Sequence, residues 1–331
     1  MAWPRRRVAW VLGSIIVIVI ALLGSGIFVA SSAACATGHA YQDKSVWVEL
    51  GTQSGPIPSI ARSEPAHLLL WHDQAILIDV GDGAARQLAR AHVQLGAVNT
   101  IFLSHLHFDH TGGLFAFLGM RYQGSGPVCA PVTIYGPPGT KRLVDGLRSA
   151  IQPGSGLVSS SAPDFRAVEV DNGSKVAIGD IQITVASNSH YNLWNGAGPA
   201  PVALSYRFDL PDRAIAYTGD TGPSANVEKL AHGVDLLVSE IMDADAALDT
   251  IRRSYPLIPG FVFSPIREHF TKEHLLPDQV GILAAHAGAR ALVLTHFGGA
   301  TGDQEQIRRL TQTIATHFHG SIRFANDLDR F

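Results

Sequence analysis

The chain has 331 residues, of which 46% are hydrophobic and 16% charged, so it can bury a sizeable core and is neither disordered, collagen-like nor a coiled coil. The net charge is −3; Arg5, Arg6 and Arg7 hold all the charge before residue 41, which leaves 22 basic against 28 acidic side chains. This balance favours a small-molecule substrate and predicts no nucleic-acid partner. Two cysteines, Cys35 and Cys129, allow no cysteine-based zinc cluster and no disulfide framework.

Residues 1–40 form a unit of their own. After a basic head comes an uncharged apolar run, residues 8–30, of about a membrane's thickness. The small residues at 31–34 suit cleavage of an export signal, whereas the length of the run suits a membrane anchor, and both interpretations stay open. In either case the basic head stays in the cytoplasm. We therefore expect an exported, periplasmic or otherwise extracytoplasmic protein, attached to the inner membrane through residues 8–30 if the segment is not cleaved.

Residues 41–331 are predicted to form one domain, since no linker or repeat divides them. Strand patterns occur at residues 46–50, 67–71, 75–79, 100–104, 132–135, 181–186, 202–210, 214–217, 236–239, 291–294 and 322–324. Helical patterns occur at residues 83–93, 139–150, 277–287 and 304–317. Hairpin signals mixed with crossover helices indicate an α/β (α+β) fold with sheets flanked by helices.

The residues that carry chemistry are concentrated just after the predicted strand 100–104, in a His-x-His-x-Asp-His sequence. His105 and His107 are two apart in extended chain and point to the same side, while Asp109 and His110 lie beyond the turn and can address a second point. Four such groups within six residues are costly to desolvate unless a cation neutralises them. The motif therefore predicts a metal site.

This motif resembles that of the metallo-β-lactamase fold superfamily, and the resemblance covers nearly all of residues 45–331. It implies a four-layer αββα sandwich. Asp79 is similar to an aspartate that supports the metal loop through hydrogen bonds. His190, Asp220 and His296 each follow or end a predicted strand, in the order in which the superfamily places its remaining ligands.

The resemblance implies two metal sites that share one carboxylate. One metal would be held by His105, His107 and His190, the second by Asp109, His110 and His296, with Asp220 bridging the two. Two such cations can share a hydroxide and polarise the scissile centre. Histidine and carboxylate ligands suit zinc best, although manganese or iron could occupy the sites.

Further segments, at residues 134–140, 219–223 and 273–281, are similar to the branch that contains ribonuclease Z, related arylsulfatases and class II cyclic-nucleotide phosphodiesterases. In that branch a histidine at the start of a late helix stabilises the departing or developing oxyanion, which implies this role for His274. His269 is the alternative. With Asp109 and Asp220, His274 completes the candidate catalytic residues.

Only 29 residues separate His190 from Asp220, too few for the long arm with which ribonuclease Z grips tRNA. We therefore expect a di-zinc hydrolase that acts, through a metal-bridging hydroxide, on a small phosphoester, sulfate ester, carboxylic ester or lactone. The alternatives are a ribonuclease Z-like enzyme or cyclic-nucleotide phosphodiesterase, a mono-iron oxidoreductase of the persulfide dioxygenase type, and a metal-retaining protein without turnover.

Two segments are candidates for the walls of the substrate site. Residues 249–268 are apolar and rich in proline, which predicts either a lid over the metal cleft or a contact between two copies in a homodimer. Tyr191, Asn192 and Trp194 stand beside His190 and form a second candidate wall.

Overall fold

The computed structural model describes residues 44–55, 57–125, 129–152, 164–257, 259–299 and 303–331. The predicted export or anchor segment, residues 1–40, lies outside these ranges. Within them, no helix combines the length and apolar character needed to cross a membrane.

Two β-sheets form the centre of the molecule. The first contains β1 to β6 in chain order, at Val46–Gly51, Ala66–Trp71, Gln74–Val80, Val98–Phe102, Val132–Gly136 and Phe165–Glu169. The second contains β7 to β13, also in chain order, at Lys175–Ile178, Ile181–Ser187, Leu204–Asp209, Ala214–Tyr217, Leu236–Met242, Ala291–Gly298 and Ser321–Phe324. In each sheet an antiparallel part is followed by a parallel part, from β3 to β6 and from β10 to β13.

Helices lie on the outer face of each sheet. They are α1 to α9, at Ala84–Arg90, Phe108–Thr111, Leu114–Ser125, Thr140–Ile151, Ala225–Leu230, Ala244–Ser254, Phe263–Lys272, Pro277–His286 and Gln304–Ala315, with short 3₁₀ turns at Leu95–Ala97 and Gly260–Val262. One apolar core packs α1, α3 and α4 against the first sheet, and another packs α5, α8 and α9 against the second. A third core lies between the sheets. The predicted fold, a mixed α/β sandwich, is therefore confirmed.

Strand β2 shows why the sheets are covered on both faces. Leu68 and Leu70 pack into the core under the helices, while Leu69 and Trp71 point into the core between the sheets. Successive side chains of a strand point to opposite faces, so an uninterrupted apolar run needs cover on both sides.

The carboxyl ends of the ligand-bearing strands of the second sheet meet at one edge. Strands β10, β11 and β12 are parallel, and β8 points the same way because it is antiparallel to β9, which is antiparallel to β10. The turn after β4 of the first sheet reaches the same place, since the Leu204 N–H donates to the Ser104 carbonyl at 2.8 Å. Residues that follow these strands are thereby brought together.

The eleven predicted strands and four predicted helices are present, with ends that differ by up to four residues. Strands β6 and β7 were not predicted, because their side chains are largely exposed and lack an apolar pattern. The prediction of a proline-rich segment at 249–268 missed the helices α6 and α7 that occupy most of it. Pro265 is the third residue of α7, where its missing N–H costs no intrahelical hydrogen bond.

Candidate active site

Three histidine side chains meet beyond the ends of β4 and β8, and we call them the three-histidine group: His105, His107 and His190. The Nε2 atom of His105 lies 2.9 Å from Nδ1 of His107, and Nε2 of His190 lies 3.3 Å from the same atom. His107 precedes the single turn of α2 with an extended backbone, so its ring stays on the side of His105. Three imidazoles whose nitrogens converge in this way could hold one metal ion.

Beside them lies the carboxylate group, defined as Asp109, His110, Asp220 and His296. Asp220 Oδ1 is 3.3 Å from His110 Nε2, and Asp220 Oδ2 is 3.3 Å from His296 Nε2. Asp109 Oδ2 lies 3.4 Å from the same His296 nitrogen. The two groups touch, since Asp220 Oδ2 is also 3.8 Å from His105 Nε2. Asp220 therefore stands between the two groups, where one carboxylate can face two metal ions.

The donor atoms fit metal ions rather than one another. Among the described residues, His110 Nε2 and Asp220 Oδ1 are buried without a hydrogen-bond partner, although they lie 3.3 Å apart. Buried polar atoms of this kind are costly unless they are satisfied. A cation held by imidazole and carboxylate would satisfy both atoms, and these donors suit zinc.

Asp79 lies beneath the metal loop and accepts hydrogen bonds from several of its groups. Its Oδ1 accepts from the Ser104 N–H at 2.7 Å, and its Oδ2 is 2.9 Å from His110 Nδ1 and accepts from the Tyr217 hydroxyl at 2.8 Å. The φ angles of Asp79 and His296 are +53° and +46°, in the left-handed region that non-glycine residues rarely adopt. Such backbone strain is found at functional sites, where the surrounding structure holds it in place.

His274 lies above both groups and is paired with a carboxylate that the sequence did not single out. Its Nδ1 is 2.7 Å from Glu240 Oε2, and Glu240 Oε1 accepts from the Thr221 N–H. The ring centroid of His274 is 4.9 Å from that of His190 and 6.0 Å from that of His296. The Glu240 carboxylate fixes the ring orientation and leaves Nε2 facing the cleft.

His269, the alternative to His274, is at the site as well. It lies in the last turn of α7, and its Nε2 is 3.4 Å from Nε2 of His274. Its Nδ1 is 2.7 Å from Glu273 Oε2, while the Glu273 carbonyl lies 3.0 Å from His190 Nδ1. Glu273 thus orients one ring through its side chain and another through its backbone. His274 is the more buried of the two histidines and has the closer contact with the three-histidine group.

The two groups differ in how the protein sets their pKa values. Burial lowers the pKa of His190 to about 3 and also places those of His105 and His107 below the usual value. Burial acts in the same direction on His296, but the Asp220 and Asp109 carboxylates outweigh it and raise the pKa to about 9. The metal-free three-histidine group is therefore neutral, whereas His296 carries a proton at neutral pH.

The Glu240 and His274 pair is buried, and burial moves the pKa values of its two members in opposite directions. Burial lowers the pKa of His274 to about 3. Burial, together with the charge of Asp220, raises the pKa of Glu240 well above its usual value. Both shifts favour the uncharged form of the group, and Nε2 of His274, which is 3.4 Å from Nε2 of His269, lies at the cleft.

A cleft of about 500 Å³ opens over the two groups. Phe108, between two of the predicted ligands, lines this cleft with 88% of its side chain exposed. Glu64, which the sequence did not single out, lines it as a buried carboxyl, and burial together with Asp109 raises its pKa to about 7. Among the described residues that line the cleft, none is Lys or Arg.

The two predicted walls have different positions. Tyr191 packs its ring 5.3 Å from that of His107 and 4.9 Å from that of His190, whereas Asn192 and Trp194 are exposed. In the segment 249–268, Tyr255, Leu257 and Phe261 expose 53%, 94% and 80% of their surface. Whether the segment is a lid or an interface stays a prediction.

Comparison with known proteins agrees with this geometry. The family model described as a beta-lactamase superfamily domain matches residues 74–297. Ribonuclease Z of Mycobacterium avium is 30% identical over 290 residues, which cover 85% of this chain and 95% of that protein. Ribonuclease Z of Mycobacterium marinum is 28% identical over 292 residues, or 85% of this chain and 96% of that protein.

Solved structures show the same fold. The metallo-β-lactamase fold protein YhfI from Bacillus subtilis aligns with a TM-score of 0.65 at 18% identity, over 87% of this chain and 99% of that one. The short form of human tRNase Z aligns with a TM-score of 0.59 at 21% identity, over 86% of this chain and 99% of that one. The chain belongs to the metallo-β-lactamase superfamily, in its ribonuclease Z branch. It is a metal-dependent hydrolase.

Proposed function

We propose that the protein is a two-metal phosphodiesterase. The three-histidine group would hold one zinc ion, and Asp109, His110 and His296 a second, with Asp220 bridging. The observation that carries this proposal is the position of Asp220, whose Oδ2 is 3.8 Å from His105 Nε2 and 3.3 Å from His296 Nε2. Two cations at these positions would activate water and polarise the scissile ester.

The residues around the cations would orient the substrate and the developing charge. His274, held by Glu240, would donate from Nε2 to the oxygen on which charge develops. Asp109 is held by the Gly55 N–H, which donates to its Oδ2 at 3.0 Å. This hydrogen bond holds the Asp109 carboxylate in place against the segment that follows β1.

The relatives change the expected substrate. Those reported above are named ribonuclease Z, which favours a phosphodiester in RNA over the small ester predicted from the sequence, and which conflicts with the prediction of no nucleic-acid partner. Phe108 supports the change, because an aromatic ring exposed between metal-binding residues offers a face on which a base can stack.

A small phosphodiester is the second candidate. Phosphate backbones are bound chiefly by Lys and Arg, and the described lining of the cleft contains neither, but does contain Glu64 and Asp82. The 29 residues between His190 and Asp220 form strands β9 and β10 with their connections. Arg207 within β9 is already paired with Asp209 at 2.8 Å. This segment therefore favours the small phosphodiester over a long RNA.

The proposal is tested with zinc-loaded protein lacking residues 1–43. Bis(4-nitrophenyl) phosphate, a single-stranded RNA oligonucleotide and a tRNA transcript are compared with 4-nitrophenyl sulfate and 4-nitrophenyl acetate. We expect turnover of the phosphodiesters, and the relative rates on RNA and the small diester choose between the two candidates. Hydrolysis of the sulfate or the acetate alone would refute the proposal. One iron per chain in the protein as purified, with no hydrolysis after zinc loading, would refute it as well.

We also propose that the protein is exported. The support is the uncharged apolar run of residues 8–30 behind the basic head. A reporter enzyme fused after residue 45 should be active outside the cytoplasm, and a soluble cytoplasmic reporter would contradict the proposal.

A further inference from the structure

A second, smaller cavity opens beside the metal cleft, and we call it the side pocket. It has a volume of about 140 Å³ and shares four wall residues with the cleft: Ser54, Gly55, Met242 and Phe270. Its remaining walls come from the segment after β1, from α6 and from the end of β12 and the residue after it. A group in the side pocket would thus be separated from the metal-binding residues only by side chains common to both cavities.

Two glycines at the end of β12 allow close contacts, Gly298 with Met242 at the end of β11 and Gly299 with Ala247 in α6. A Cβ atom on Gly298 would lie 2.3 Å from the Met242 sulfur, and one on Gly299 would lie 2.3 Å from the Ala247 nitrogen. Gly299 also has a φ of +77°, a backbone conformation that residues other than glycine rarely adopt. The Gly299 contact brings α6 close to the end of β12, and both line the pocket.

The walls suit a flat apolar group. Met242, Ala247, Ile251 and Phe270 supply apolar surface, while Ser54 supplies a hydroxyl. An apolar cavity of about 150 Å³ holds one benzene ring, so the side pocket has room for a single six-membered ring. Apolar walls with a few polar groups are typical of small-molecule sites.

Two wall residues of the pocket form hydrogen bonds, one to Asp109 and one to the residue that follows His274. The Gly55 N–H donates to Asp109 Oδ2 at 3.0 Å, and the Met242 N–H donates at 2.8 Å to the carbonyl of Leu275, the residue after His274. A ring in the side pocket would therefore be positioned relative to both the carboxylate group and the residue expected to donate to the substrate.

We propose that the side pocket binds a planar ring attached to the scissile ester, either a pyrimidine base or an aryl group. The inference rests on the proposed function, because it needs an ester at the metals to which the ring is joined. It makes the side pocket the element that selects ring-bearing substrates over alkyl ones.

The test compares the binding of uridine 5′-monophosphate, phenyl phosphate and methyl phosphate to the zinc-loaded protein by calorimetry. Both ring-bearing ligands should bind at least about tenfold more tightly than methyl phosphate, since ring burial in the pocket removes apolar surface from water. The tighter of the two identifies the base or the aryl group as the occupant. Equal affinity for all three ligands would overturn the inference without any variant.

Thr250→Trp provides the matched variant, because Thr250 lines the pocket from α6. It should abolish the preference for a ring, whereas Asp249→Trp, one residue earlier and exposed, should retain it. Circular dichroism melts check that both variants fold, and a folded Thr250→Trp protein that keeps the full preference would refute the pocket. Turnover of bis(4-nitrophenyl) phosphate is measured on the same samples. A ring preference without turnover sinks the proposed function, and turnover without a ring preference sinks the pocket.

Discussion

His105, His107 and His190 approach one another as neutral rings, while a few ångströms away His110 and His296 face the carboxylates of Asp109 and Asp220. Burial is nearly complete for most of these side chains, so it disfavours charge in both groups. Only in the carboxylate group do neighbouring charges outweigh it: the pKa of His296 is raised to about 9 and that of His190 is lowered to about 3.

If the two groups bind metal ions as proposed, the protein prepares two adjacent metal sites in opposite ways. Metal ligands must be deprotonated, and the three-histidine group already is. In the carboxylate group the histidines are protonated, and their positive charges balance the buried carboxylates. A bound cation would replace these protons. Asp220 contacts both groups, so a metal ion bound in one group changes the net charge next to the other.

The largest effect is expected from Asp220→Ala, which removes the carboxylate common to both groups. Metal content should fall at both sites, and turnover should fall by well over the roughly hundredfold seen when a residue that hydrogen-bonds to a metal ligand is lost. His296→Ala should lower only the metal content of the carboxylate group. Metal analysis of the dialysed proteins measures this. Near-complete and equal retention of metal in both variants would contradict the bridging position of Asp220.

His274→Ala should lower turnover by about a hundredfold while both metals stay bound, because one preorganised donor is lost at the junction of the two groups. The loss should shrink for substrates with a stable leaving group such as nitrophenolate. His269→Ala should be milder, since His269 is the more exposed of the two histidines and lies farther from His190. Steady-state kinetics with metal analysis separates these outcomes. A crippled His269 variant beside an unimpaired His274 variant would reverse the assignment.

Acidification should release the metal ion of the carboxylate group before that of the three-histidine group. Below a pH of about 9 the metal-free His296 is protonated, so binding must displace that proton, and affinity falls about tenfold per pH unit for each proton displaced. The three-histidine group, with lowered pKa values, has no such competition near neutral pH. Calorimetric zinc titrations at pH 6, 7 and 8, in buffers of different ionisation enthalpy, count the protons. Equal pH dependence of both binding steps would show that the groups do not differ.

The smallest effect concerns Glu64→Gln in the metal-free protein. Burial, with Asp109 beside it, raises the pKa of Glu64 from 4.5 to about 7. A carboxyl with a raised folded-state pKa contributes stability that is present at low pH and is lost as the pH rises through about 7. The variant should therefore show a shallower decline in unfolding free energy between about pH 4.5 and 7, measured by urea titration. An unchanged slope would place the Glu64 charge outside the influence of the carboxylate group.

The parts of the site that the sequence predicted are those that local spacing determines. His105 and His107 lie two apart in extended chain just after β4, and His190 and Asp220 are recognisable because each follows an apolar strand; His296 was expected just after a strand and lies within β12. Their grouping depends on the parallel direction of β8, β10 and β12, which follows from topology.

The parts that it missed depend on contacts between distant segments. Glu240 lies in a fully buried strand and resembles a core position; the one local signal is an acidic residue within an otherwise apolar strand. Glu64 lies in the connection between β1 and β2, far in sequence from the ligands that it approaches. The side pocket is formed where the segment after β1, the end of β11, α6, α7 and the end of β12 meet, and no single segment encodes it.

The most direct test of the account is a zinc titration of the metal-free protein during hydrolysis of bis(4-nitrophenyl) phosphate. Because the carboxylate group completes the site, turnover should stay near background through the first equivalent and rise to its plateau with the second. Full turnover after one equivalent would contradict the two-metal account.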